Sequence, residues 1–123
     1  MIKPYVNDLK DAAKDNDFFR KVVFTGSHLQ LVLMSLEPGE EIGEEVHEVD
    51  QLLSIVKGEG KAVLDGQEQK FEKGMAVCVP AGVRHNVINS GDKPMKVFTI
   101  YAPPQHAAGT VQEKKPEPVA AGR

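Results

Sequence analysis

The stretch Gly74-Met75-Ala76-Val77-Cys78-Val79-Pro80-Ala81-Gly82-Val83-Arg84-His85-Asn86-Val87-Ile88-Asn89 decides how the chain folds. A glycine opens it, an apolar run of strand length follows, and Pro80-Ala81-Gly82 breaks the run. Proline fixes one backbone angle and glycine accepts positive φ, so the triplet predicts a tight turn. Apolar residues return at Val83 and at Val87-Ile88, and Asn89-Ser90-Gly91-Asp92 ends the segment. The pattern is strand, turn, strand, with His85 just past the turn. Cys78, inside the first run, is expected to be a small core residue.

The same rhythm extends in both directions. From Val22 to Tyr101, runs of five to eight apolar or alternating residues end at Pro38-Gly39, Gly58-Glu59-Gly60, Asp65-Gly66 and Lys73-Gly74. Asp65-Gly66, between Ala62-Val63-Leu64 and Gln67-Glu68-Gln69, is a two-residue hairpin signal. Val22-Val23-Phe24 and Leu29 to Met34 are β-prone and separated by Thr25-Gly26-Ser27. No helical period of useful length interrupts this region, so an all-β sandwich or barrel is expected.

The ends differ from the middle. Residues 6–15 predict a short helix capped by Asn7, with Val6, Leu9 and Ala13 as its apolar stripe. Residues 1–19 therefore form an N-terminal helical segment and residues 20–102 the barrel. From Pro103 onward the sequence reads as a mobile tail, 103–123, in which Pro103-Pro104 stops the last strand.

The chain has 123 residues, 41% of them hydrophobic, and a formal charge of −3. That is one domain with enough apolar residues for a core. No basic face is present, which argues against nucleic acid as a partner. No apolar run approaches the roughly 20 residues of a membrane span. A single cysteine and the absence of an apolar leader point to a soluble protein of a reducing compartment, the cytoplasm.

Around His47 the chain reads Gly39, five residues, Glu45-Val46-His47, three residues, Gln51, six residues, Gly58. Around His85 it reads Gly74, five residues, Pro80-Ala81-Gly82, two residues, His85, three residues, Asn89. The pair resembles the two motifs of the cupin superfamily, G-(x5)-H-x-H-(x3 or x4)-E-(x6)-G and G-(x5)-P-x-G-(x2)-H-(x3)-N. The second is matched at every fixed position. The first keeps its spacing and both glycines but has Glu45 in place of a histidine and Gln51 in place of a glutamate. The resemblance covers residues 20 to 102 and implies a double-stranded β-helix, or jelly-roll, with a metal site inside the barrel.

What the resemblance implies for the site is a metal held by Glu45, His47, Gln51 and His85. On an extended chain Glu45 and His47 share a face. Glu45 could instead be one more surface acid among Glu40, Glu41, Glu44 and Glu48, and Asp50 is the alternative to Gln51. Two imidazoles, one carboxylate and one amide suit one divalent metal ion. Zinc is favoured, with manganese, nickel, iron or cobalt as the other candidates. The same ligand types occur in type I phosphomannose isomerases. Arg84 beside His85 and His106 after the last strand are candidate substrate-binding residues. His28, near a turn, is expected to be structural or exposed.

Three functions follow as expectations. One is a metal-dependent enzyme, such as an isomerase, acting on a small polar, sugar-like substrate. Another is a non-catalytic module that binds a small molecule or metal, and the third is an iron-dependent dioxygenase. A homodimer is expected, because strands within residues 20–36 would offer edges that need cover.

Overall fold

The computed structural model describes residues 1–116. Helix α1 (Leu9–Asp15) precedes nine strands: β1 (Arg20–Thr25), β2 (Gln30–Leu36), β3 (Asp50–Lys57), β4 (Glu59–Leu64), β5 (Gln67–Glu72), β6 (Ala76–Val79), β7 (His85–Ile88), β8 (Met95–Ala102) and β9 (Val111–Gln112). A six-stranded sheet runs β6-β3-β8-β2-β1-β9, and a three-stranded sheet runs β5-β4-β7. All pairings are antiparallel. This is the all-β jelly-roll architecture expected from the sequence.

Alternation along the central strands sorts residues into inside and outside. Val32, Met34 and Leu36 of β2, Leu53 and Ile55 of β3, and Val97 and Tyr101 of β8 join Ala62, Phe71 and Val87 of the small sheet in one buried cluster. A second cluster, Ala13, Leu33 and Val56 with Leu9, Ala12, Val23 and Phe98 packed on it, seats α1 on the outer face of the large sheet. Lys96 fastens this seat. Its buried Nζ donates to Asn16 O at 2.7 Å, Asp17 Oδ1 at 3.0 Å and Ser35 Oγ at 3.0 Å.

The Asp65-Gly66 hairpin forms with Leu64 opposite Gln67 and positive φ at both turn residues, 48° and 81°. That is the conformation the dipeptide favours. Gly60 is required for a different reason. A Cβ there would fall 2.1 Å from Ile88 O and 2.1 Å from Met95 Cε, so only hydrogen fits between β4 and its neighbours. Asn89, fully buried, closes the second motif. Its amide donates to Leu36 O and Lys93 O, and its side-chain oxygen accepts from Gly91 N.

Five expectations are corrected. Helix α1 starts at Leu9 and is capped by Asp8, whose side chain accepts from Asp11 N, rather than by Asn7. Val6 is exposed and outside the apolar stripe. Cys78 is exposed, because β6 is an edge strand and only Val79 of its four residues is buried. The run 75–79 is apolar on both faces, which hid that alternation. The edge expected within residues 20–36 is only partly open, since β2 is central and β9 pairs with Arg20–Lys21 at the start of β1. Much of the segment read as mobile therefore docks: the chain returns after Pro103 to add β9, and Phe19 N donates to Glu113 O. The rest of that expected tail, 117–123, lies outside the described residues.

Candidate functional site

Residues 41–47 form no regular strand but run antiparallel to β7. Glu45 and His85 exchange backbone hydrogen bonds of 2.9 Å in both directions, and Glu41 bridges Ile88. The turn Pro80-Ala81-Gly82 fixes this segment from the other side. Gly82, at φ 86°, donates its N–H to His47 O at 2.8 Å. A side chain is disfavoured at that φ, so the motif glycine is a backbone requirement of the site.

The two histidines of the motifs are brought together, with ring centroids 5.1 Å apart. Nδ1 of His85 lies 2.9 Å from Val83 O, which fixes the proton on Nδ1 and leaves Nε2 with a free lone pair. His47 Nε2 lies 2.7 Å from Glu45 Oε2. Burial and the neighbouring His85 and Arg20 lower the His47 pKa, and Glu45 opposes them.

Gln51 enters from β3, buried, opposite Tyr101 on β8 and Val79 on β6. Its Nε2 donates to Thr99 Oγ1 at 3.1 Å, whereas its Oε1 is buried with no hydrogen-bond partner. Asp50, the alternative donor, turns outward and accepts from Ala81 N at 2.9 Å, supporting the turn instead. Tyr101 links the group, with the His47 ring 5.9 Å and the His106 ring 5.1 Å from its centroid. Burial pushes the Tyr101 phenol up to about 12.

His106 is held over these residues by Gln30, which is wholly buried. The Gln30 amide donates to His106 O at 2.7 Å, and its oxygen accepts from Gln105 N and His106 N. Nε2 of His106 is buried without a partner, and burial, with Arg20 and His47, pushes its pKa down to about 4. Arg84 stands apart, exposed at the rim and bonded to Glu44 at 2.7 Å. His28 is exposed.

Sequence reasoning missed Gln30 and Arg20. Each looks like a polar residue in an ordinary strand. The available signal was register, because a polar residue in phase with Val22 or with Val32 and Met34 must face inward.

A donor set can be tested against a metal on this geometry. Two ligands about 2.0–2.1 Å from one ion in a tetrahedral site lie about 3.3 Å apart, so the Glu45–His47 contact of 2.7 Å is too short to be an edge of such a site. The Gln51 oxygen is a lone-pair donor with nothing to bind. Among the described residues, however, no three histidine, cysteine, aspartate or glutamate side chains already converge as a coordination sphere. Glu45, His47, Gln51 and His85 are donor types that a divalent ion takes, and the Glu45–His47 contact would have to open to admit one.

Known proteins agree with this architecture. The uncharacterized protein YrkC of Bacillus subtilis is 46% identical, the match covering 97% of this chain and 68% of YrkC. The tetracenomycin polyketide synthase protein TcmJ of Streptomyces glaucescens is 33% identical over 72% of this chain and 62% of its own. The crystal structure of BH2720 from Bacillus halodurans superposes with a TM-score of 0.90 at 41% identity, covering 92% of this chain and 91% of that one. No helix among the described residues is long and apolar enough to cross a membrane. The family model described as a cupin domain matches residues 32–101, and with both motifs set in a jelly-roll the chain belongs to the cupin family.

Proposed function

We propose that the barrel holds one divalent metal ion through His47, His85, Gln51 and Glu45, and that this centre acts on a small polar ligand. The observation that carries the reading is the buried, unpartnered Oε1 of Gln51. A buried amide oxygen left without a donor costs about 1–3 kcal/mol, which a bound cation would recover. Bound there, the metal would supply Lewis acidity toward a ligand oxygen. Two imidazoles and one carboxylate suit zinc and iron(II) alike, and the neutral amide, a poor ligand for redox chemistry, favours zinc. The three-histidine set better suited to dioxygenase chemistry is incomplete, because Glu45 stands where the first motif has one of its two histidines.

The chain's own residues define the rest. Tyr101 stays a neutral phenol, and His106 stays a neutral imidazole above the site. Isomerase chemistry on a sugar-like substrate needs a proton acceptor, and Glu45 would fill that role when not bonded to His47 or metal. His106, with a pKa near 4, is a weak base at neutral pH. This scarcity of bases favours a second reading, a module that binds metal and ligand without turnover.

The edge that a second copy would cover is β6, beside a 340 Å³ groove lined by Leu52, Cys78 and Ile100. Sedimentation at micromolar concentration tests this pairing, and a monomer would count against it.

Metal analysis of protein purified from metal-supplemented cultures tests the main reading. About one equivalent per chain is expected, lost in His47→Ala and His85→Ala. Protein that retains no metal from any medium would overturn it.

A further inference from the structure

Arg20 is a buried cation that the metal reading does not use. It opens β1 opposite Met34, an interior residue, and partners across a ladder share a face, so Arg20 points into the barrel. It is 9% exposed. Among the described residues no carboxylate pairs with it. Nη1 donates to the neutral Gln112 Oε1, and Nε is buried without a partner. Its Cζ lies 5.1 Å from the Phe19 ring centroid, which helps hold the guanidinium plane.

Burying a guanidinium without a counter-charge is costly, and an apolar side chain would serve the core better. A second orphan is the buried Nε2 of His106, which Gln30 holds at the other end of the β1–β2 ladder and which lies within electrostatic reach of the long Arg20 side chain. We propose that Arg20 and His106 form an anion subsite that takes the carboxylate of a small organic acid. This deepens the reading of the barrel as a ligand-binding centre and rests on it.

The chemistry selects a carboxylate. The Nε–Nη2 edge of a guanidinium presents two parallel N–H donors at the spacing of two carboxylate oxygens. One fixed positive charge balances one negative charge. The unpartnered Nε and one fixed charge are what a single carboxylate needs, and phosphate, which the same fork can also hold, is the competing ligand in the test. Arg84, exposed and already bonded to Glu44, offers no such desolvated fork. Arg20 also lowers the pKa values of both His106 and His47, as expected of a cation close to the two rings.

The test is titration of acetate, and separately inorganic phosphate, into the full chain, metal-free and zinc-loaded. The readout is the Nε–H signals of the three arginines in nitrogen-15 spectra. Acetate is expected to shift the Arg20 signal saturably in both forms. Arg20→Gln should weaken acetate binding roughly ten- to hundredfold, the usual weight of charged hydrogen bonds, with zinc stoichiometry unchanged. Should Arg20→Gln not fold, Arg20→Lys keeps the charge but not the fork and should bind with intermediate affinity. An unmoved Arg20 signal, equal acetate affinity in the variants, or tighter binding of phosphate than acetate would each overturn the subsite. Zinc bound without an acetate effect removes the subsite alone. An acetate effect without metal binding removes the metal reading alone.

Discussion

Gln51 donates its amide to Thr99 Oγ1 at 3.1 Å, and that bond orients the side chain so that its oxygen is buried and unpaired. A residue kept for stability would not be arranged this way, because an apolar side chain of similar length removes the unpaired group. Gln51→Met should therefore fold with stability within about 1 kcal/mol of the parent, or above it. Its affinity for zinc should fall at least roughly tenfold. Thermal melts and metal titration of the same preparation check this, and unchanged affinity would remove Gln51 from the ligand set.

Asn89 belongs to the same motif as His85 but has a different task. Its three side-chain hydrogen bonds tie Leu36, Gly91 and Lys93 together at the end of β7. Asn89→Ala should cost about 3 kcal/mol, since each lost bond also strands a buried partner. That corresponds to a fall in Tm of roughly 10 °C for a chain of this size. The zinc stoichiometry at low temperature should be unchanged, which separates motif residues that shape the barrel from those that face its interior.

These two residues show what could be read from the sequence. The β-strand rhythm and Asp65-Gly66 gave most of the barrel because period-two patterning and turn chemistry are local. The second motif marked His85 for the site by resemblance but gave no task to Asn89, whose role depends on the three groups it bonds. Motif spacing pointed to Gln51, strand alternation sent the neighbouring Asp50 to the opposite face, and the β3 register agrees, with Gln51 inward and Asp50 on Ala81 N. Register could place Arg20 and Gln30 inside the barrel but not say what they do there, because that depends on contacts 76 and 92 residues away in sequence, Gln30 with His106 and Arg20 with Gln112. The C-terminal residues misled for a related reason: Pro-rich composition suggests mobility, but Val111–Gln112 finds the free edge of β1.

Lys96 offers a check on how α1 is held. All three protons of its buried ammonium are used, one of them on Asp17, which is well exposed. Lys96→Ala removes the anchor and leaves Asn16 O without its donor. Destabilisation of about 3 kcal/mol is expected, in the range for breaking one side of a buried polar network. Hydrogen exchange should rise first in residues 9–15, while the β2–β8 amides stay protected until global unfolding.

His106 and Gln30 carry the last prediction. Burial, with Arg20 and His47, holds the His106 pKa near 4, below the usual 6.5. A histidine with a depressed folded-state pKa binds fewer protons folded than unfolded. Its contribution to stability is complete above about pH 6.5 and is lost as pH falls toward 4. Gln30→Ala removes the hydrogen bonds that keep residues 105–106 over the barrel. The ring should then gain water and its pKa should move up toward 6.5, narrowing that window. Titration of the His106 ring protons by NMR in the two proteins measures the shift directly. A pKa still near 4 in Gln30→Ala would show that Tyr101 packing, and not the Gln30 clamp, keeps His106 buried.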